Sequence, residues 1–296
     1  MRWRGRKGSS NVDDQRNMQF RGGAGGGGML RLLPIVFKFL GFKGTAIVAV
    51  GFVAYGLVTG NLSGMLGLQS GSTVTTSSKP LQQLDEEKDL AQFVSVILAD
   101  TEETWRKLFQ QQGKVYKEPT LILFRGKVSS ACGLGQAAMG PFYCPGDQKV
   151  YIDLAFYDQL KNQFKAPGDF AQAYVIAHEV GHHIQTLLGI STSVHKAKQG
   201  LSKVAANKLS VKQELQADCL AGVWAYHAGN TRNMLEDGDV EEGLTAASAI
   251  GDDTLQKQAK GTVSPDSFTH GSAEQRVKWF KTGLASGDMN SCDTFK

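Results

Sequence analysis

The stretch "FAQAYVIAHEVGHHIQTLLG", residues 170–189, constrains this chain more than any other. At about 100° per residue, Phe170, Ala173, Tyr174, Ala177, Gly181, Ile184 and Leu188 fall near one line of a helix and form a packing stripe. His178 and His182 lie together beside that stripe, about 40° apart and one turn removed, so both imidazoles reach one point. Glu179 sits a further step round the cylinder. The chain must therefore build a packed helix that also carries ionisable groups along the flank of its buried face.

That arrangement is H-E-x-x-H on a helix. Two neutral imidazole nitrogens about 2.0–2.1 Å from a zinc ion need a rigid baseline, which the i, i+4 repeat supplies. Glu179 is then placed to act on water and not on the metal. The plainer alternative is a helix whose histidines merely border solvent, and chance yields the motif in roughly one chain of this length per hundred. A third ligand decides.

"SVKQELQADCLAGVWAYHAG", residues 210–229, is expected to be a second helix, opened by a capping box from Ser210 to Gln213 and stopped at Gly229. Glu214 and Asp218 share one face of it, and Ala217 between them permits close approach to the first helix. Glu214 is the expected third ligand, with Asp218 as the carboxylate that orients one ligating imidazole. A solvated acidic pair is the alternative. It loses weight on an apolar helix about thirty residues after the motif.

The segments "AHEVGHHIQ" and "ELQADC", with "MRWRGR" at the start and "SFTHGSAEQRVKWF" near the end, resemble a bacterial family of neutral zinc metallopeptidases from Met1 to Cys292. The E-x-x-A-D motif is also similar to that of HtpX-like membrane peptidases. In those gluzincins the Glu ligates zinc, the Asp lies behind it, and a "THP" segment follows. The resemblance implies a zinc peptidase of α+β, zincin-like fold. Here Thr269-His270-Gly271 carries glycine in place of proline. His270, ahead of the expected helix "SAEQRVKWFKTGL", is the candidate donor to the oxyanion.

Charge is unevenly distributed. Residues 1–43 hold nine Lys or Arg against Asp13 and Asp14, a net of +7 in a chain of net +4, which leaves −3 for the remainder. The basic region ends where "GTAIVAVGFVAYGLVTGNL", residues 44–62, begins. Extended back to Leu40, this apolar run is long enough to cross a bilayer of about 30 Å, with Lys43 snorkelling at its edge. A cleaved signal peptide would need a shorter basic head than the forty residues present. The expected organisation is a basic, glycine-rich cytoplasmic tail (1–39), a transmembrane anchor (40–62), a Ser/Thr-rich linker (63–83) and a peptidase domain (84–296). Positive residues would place the amino end in the cytoplasm and the domain outside, on a single-pass protein of the cytoplasmic membrane. The tail reads as a partner of anionic lipid, with no nucleic-acid role.

Within the domain, apolar spacing from Leu90 to Leu108 predicts a helix, and "TLILFR" (120–125) and "KVYIDLAF" (149–156) read as strands. "GQAAMGPFYC", residues 135–144, is the candidate edge that pairs with an extended substrate, with a plain hairpin loop as the alternative. Cys132, Cys144, Cys219 and Cys292 fit an oxidising compartment. Pairing Cys132 with Cys144 and Cys219 with Cys292 is favoured over a cysteine ligand of the kind found in peptide deformylases. His183 is expected to face solvent or bond locally, His195 to sit in a polar connection, and His227 to complement a helix end as a cation.

The expected activity is hydrolysis of a peptide or protein substrate, with zinc held by His178, His182 and Glu214 and with Glu179 as general base. A catalytically silent module that binds envelope peptides in the same cleft is the alternative. The intact Glu179 favours activity, because binding alone needs no base.

Overall fold

The computed structural model describes residues 1–17 and 81–296. The expected membrane segment and nearly all of the linker lie outside the described residues. Among the described residues, no helix is long and apolar enough to cross a membrane. In chain order the elements are β1 (Val12–Asp14), α1 (Leu81–Gln111), β2 (Thr120–Phe124), β3 (Lys127–Ser130), β4 (Gly133–Gln136), β5 (Phe142–Cys144), β6 (Lys149–Asp153), α2 (Ala155–Asn162), α3 (Asp169–Leu187), α4 (Ile190–Lys198), α5 (Lys203–Asn230), α6 (Asp239–Ala249), α7 (Asp252–Lys260) and α8 (Ala273–Ser286). Helices beside a small mixed sheet make an α+β body.

The sheet runs β1-β2-β6-β5. The first three strands are parallel and β5 is antiparallel to β6, with Tyr143 opposite Val150. Strands β2 and β6 are buried on both faces, as central parallel strands require. Leu121, Leu123, Val150 and Ile152 turn to the helices. Ile122, Phe124 and Tyr151 turn the other way, beneath the β3–β4 hairpin. That hairpin, which the sequence reading leaves as a glycine-rich connection, covers Phe142 because Gly135 has no side chain: a Cβ there would stand 2.6 Å from the Phe142 ring. Phe142 in turn stacks on Tyr151 at 4.7 Å. Strand β6 ends sooner than "KVYIDLAF" suggests. The Asp153 carboxylate accepts from the Ala155 amide at 3.0 Å and turns the chain into α2.

Helix α3 is the centre of the body, and fourteen of its nineteen residues are buried. Glu242 caps it from α6 by accepting from the Phe170 amide at 3.0 Å. Close approach of α5 depends on Gly181, where a Cβ would lie 3.0 Å from the Ala217 carbonyl oxygen. Helix α8 presses closer still on the far side of α5, since a Cβ on Gly283 would meet the Cys219 carbonyl oxygen at 1.9 Å. These two contacts set three helices around one point.

Four expectations are corrected. Helix α5 starts at Lys203, where Ser202 accepts from the Ala205 amide, and Ser210 lies in its interior. The helix-compatible run "KVAANKL" overrides the S-x-x-Q signal seven residues further on. The polar connection holding His195 forms α4. Residues 81–83 of the expected linker belong to α1.

The fourth correction concerns the amino end, because residues 1–17 pack in one compact unit with residues 81–296 and do not stand apart as a tail. Trp3 is buried edge-on against Phe93, β1 extends the sheet, and the amino group of Met1 lies 3.0 Å from Asp169 at the start of α3. Ser9 and Asn11 both donate to Glu102 in α1. Basic residues here pair both locally and with the body, as Arg16 does with Asp14 and Arg4 with Asp89.

Candidate metal centre

Helix α3 carries His178 and His182 on successive turns, and α5 brings Glu214 against them. Nε2 of His178 lies 3.2 Å from Oε2 of Glu214, and Nε2 of His182 lies 3.4 Å from the same oxygen. Ligands about 2.0–2.1 Å from an ion stand about 3.3–3.4 Å apart at the corners of a tetrahedron. The spacing suits zinc, as does the mixture of two imidazoles and one carboxylate.

Both Nδ1 atoms are occupied from behind, which leaves Nε2 for an ion. Nδ1 of His178 is 2.8 Å from Oδ1 of Asp218, and Nδ1 of His182 is 2.9 Å from Oε1 of Gln185. Asp218 has no exposed surface and is bonded further by Arg276 through two contacts of 2.9 Å and by the Tyr174 hydroxyl. Gln185 continues through Gln216 to the carbonyl of Cys292. Each imidazole is thus held by a chain of buried polar groups, the arrangement that fixes ring orientation at metal sites.

The electrostatics follow from this crowding. Burial works against the charge on His178, yet Asp218 and Glu214 outweigh it and raise its pKa to about 10. Burial likewise opposes the Glu214 carboxylate, but His182 and His178 hold it well below the usual range. Asp218 is lowered to about 2, its burial overcome by Arg276 and His178. Protons and a divalent cation therefore compete for the same lone pairs.

Glu179 lines the cleft beside these ligands, and its carboxylate has no hydrogen bond among the described residues. His270 faces Glu214 across the cleft on an exposed segment. Its Nδ1 lies 3.2 Å from Oδ1 of Asp252, while the other oxygen of Asp252 accepts the backbone amides of Thr269, His270 and Gly271. The partnership with Asp252 raises the His270 pKa above its ordinary value against burial. Gly271 fills the place of the usual proline with φ +100°.

His178, Glu179, His182, Glu214 and His270 thus line one cleft, with Asp218 buried behind His178. Three contributors are absent from the sequence reading. Arg276 lies inside the quoted segment "SFTHGSAEQRVKWF", and Gln185 follows His182 by three residues on a buried face, so each had a local signal. Asp252 stands eighteen positions before His270 and had none.

The remaining histidines differ from expectation. His183 is fully buried, bonding the Lys117 carbonyl at 2.6 Å and the Tyr143 hydroxyl at 3.1 Å, which pins β5 to α3. His227 meets the Gly287 carbonyl at 2.9 Å, and burial lowers its pKa, so it does not act as a cation at the helix end. Cys132 pairs with Cys144 and Cys219 with Cys292, so none of the four is a free ligand. A second acidic group of Asp169, Asp239 and Glu242 is taken up by the Met1 amino group and the Phe170 amide.

A family model described as "Putative neutral zinc metallopeptidase" matches residues 1–295. YpfJ of Escherichia coli K12 is 48% identical over 295 residues, covering 100% of this chain and 99% of that one. Mb2605 of Mycobacterium bovis and Rv2575 of Mycobacterium tuberculosis are each 45% identical over 190 residues, 61% of this chain and 63% of theirs. No solved structure matches the chain at a significant level.

Proposed function

The chain belongs to the zinc metallopeptidase family whose model spans it, and from that premise we propose that it is a zinc-dependent endopeptidase of zincin-like fold. The observation that carries this reading is the convergence of His178, His182 and Glu214 beside an unengaged Glu179. Zinc held there would supply Lewis acidity, polarising a carbonyl and bringing the pKa of water towards about 7. Glu179 takes a proton from the attacking water and returns it to the departing amine. His270, held by Asp252, donates to the oxygen that gains charge. Arg276 and Asp218 keep His178 oriented throughout.

Two features support cleavage within a chain over trimming at its end. Cavities of about 430 Å³ and 260 Å³ meet at His182, Glu214 and His270, so the cleft continues on both sides of the ligands. Strand β5 is a sheet edge beside α3, where an extended peptide backbone can add as a further strand.

The body works outside the cytoplasm, a placement favoured by two disulfides. The apolar segment 40–62 holds it at membrane lipid, and the docked amino end lies on the same side as the catalytic helices.

Glu179→Gln tests the reading, since it removes the base and leaves the ligands. Zinc content should match the wild type, while turnover falls by about 100- to 10,000-fold. Cleavage by the variant at the wild-type rate would remove Glu179 from the mechanism. A zinc-loaded wild type that binds peptides and cuts none would favour a binding module.

A further inference from the structure

The cleft differs in character on its two sides. The larger cavity extends past Glu179 between α2, α3, α7 and the turn at residues 137–141. Val175, one turn before Glu179, forms its floor, and Met139, Phe156, Phe164 and Leu255 form its walls. Phe156 and Phe164 pack against each other with ring centroids 6.3 Å apart. Gly140, at φ +76°, turns the chain over the Phe156 ring, where even a Cβ would already be in contact at 3.5 Å. Apart from the ligands, Glu179, His270 and the Arg276 occupied by Asp218, no Asp, Glu, Lys, Arg or His among the described residues lines this space.

The smaller cavity, on the side of His182 away from this pocket, is lined by Ser191, Ser210, Gln213 and Thr269. Lys198, half-buried at the end of α4, also lines it; its ammonium makes no ion pair or hydrogen bond among the described residues and feels the Glu214 carboxylate on the same cavity wall.

Resting on the peptidase reading, we propose that this cleft selects substrates by two features flanking the scissile bond. One is a large apolar side chain, such as Leu, Met or Phe, in the pocket of Val175, Phe156 and Phe164. The other is an acidic side chain opposite Lys198. The cavity of about 430 Å³ takes in the space at the ligands as well as the apolar pocket, and the lining of Val175, Phe156, Phe164, Met139 and Leu255 makes that pocket discriminate by polarity. Burying such a side chain favours apolar over charged residues by about 10- to 100-fold in kcat/KM. The contribution of Lys198 is smaller, about two- to fivefold, because it stays partly solvated.

The test uses the zinc-loaded protein and a synthetic library of ten-residue peptides that varies both positions independently. Cleavage is read by mass spectrometry, and binding to Glu179→Gln is read by fluorescence anisotropy. Wild-type cuts should cluster beside Leu, Met or Phe. Phe164→Asp and the surface variant Met139→Asp should lose at least tenfold on those peptides and shift towards Lys and Arg at the same position. Lys198→Glu should reverse the acidic preference with zinc content unchanged. Cutting without apolar preference, or apolar peptides cut by both aspartate variants at the wild-type rate, overturns the assignment while the peptidase reading stands. Apolar peptides that bind Glu179→Gln, lose binding in Phe164→Asp, and are never cut by the wild type would instead preserve the pocket and sink the peptidase. No binding and no cutting would end both.

Discussion

Replacing Arg276 by Met tests how the centre is held together. Arg276 and Asp218 are buried, and the guanidinium makes two bonds of 2.9 Å to the carboxylate. Removing it leaves a carboxylate without exposed surface facing only Tyr174 and His178, a loss of about 3–5 kcal/mol at pH 7.5. The sign depends on pH. In the wild type the Asp218 pKa is lowered to about 2 from its ordinary 3.8. Its contribution, about 2 kcal/mol, is therefore present above pH ~4 and lost as pH falls through about 2. In the variant burial acts with one fewer cation and raises that pKa, so the folded state takes up a proton as pH falls and the penalty shrinks. Urea unfolding followed by circular dichroism should show a wide gap between variant and wild type at pH 7.5 and a narrower one at pH 5. Chelator competition should show zinc affinity down about 10- to 100-fold, since His178 loses its orientation. Arg276→Lys should be intermediate, because a lysine keeps the charge without the planar fork. Unfolding within about 1 kcal/mol of wild type at both pH values, with zinc affinity unchanged, would refute this account of the network.

His270→Ala should lower kcat by about 100-fold with zinc retained. Asp252→Asn should be milder and should move the alkaline limb of the pH profile downward, because Asp252 raises the His270 pKa and activity that needs His270 protonated is lost as pH rises through it. Removing the Cys219–Cys292 bridge, separation 73, should cost about 4.5 kcal/mol in denaturant unfolding, against about 3 kcal/mol for Cys132–Cys144, separation 12. Cysteines placed at the exposed Lys7 and Lys260 should react with an impermeant maleimide from the same side of the membrane, and labelling from opposite sides would show that the amino end is not docked.

The parts of this protein visible in its sequence are those set by local periodicity. H-E-x-x-H fixes two imidazoles on one helix face, and E-x-x-A-D fixes a ligand and its supporting carboxylate on another. The strands β2 and β6 announced themselves as short apolar runs. Long-range pairings did not. Asp252 and His270 meet only because α7 packs before α8, and β1 joins the sheet from a region whose glycine and arginine content resembles a tail. Charge density misled there, since Arg16 serves a local ion pair and Trp3 anchors the segment in the core. His183 was misjudged because its angular position suggested solvent, whereas α3 is buried all round.

The central claim is that one zinc ion binds His178, His182 and Glu214. Anomalous diffraction from crystals of the zinc-loaded protein, collected on either side of the zinc edge, tests it most directly. The account predicts one strong peak about 2.0–2.1 Å from Nε2 of both histidines and within about 2.2 Å of a Glu214 oxygen. A peak at Asp169, Asp239 and Glu242, or none in the cleft, would contradict it.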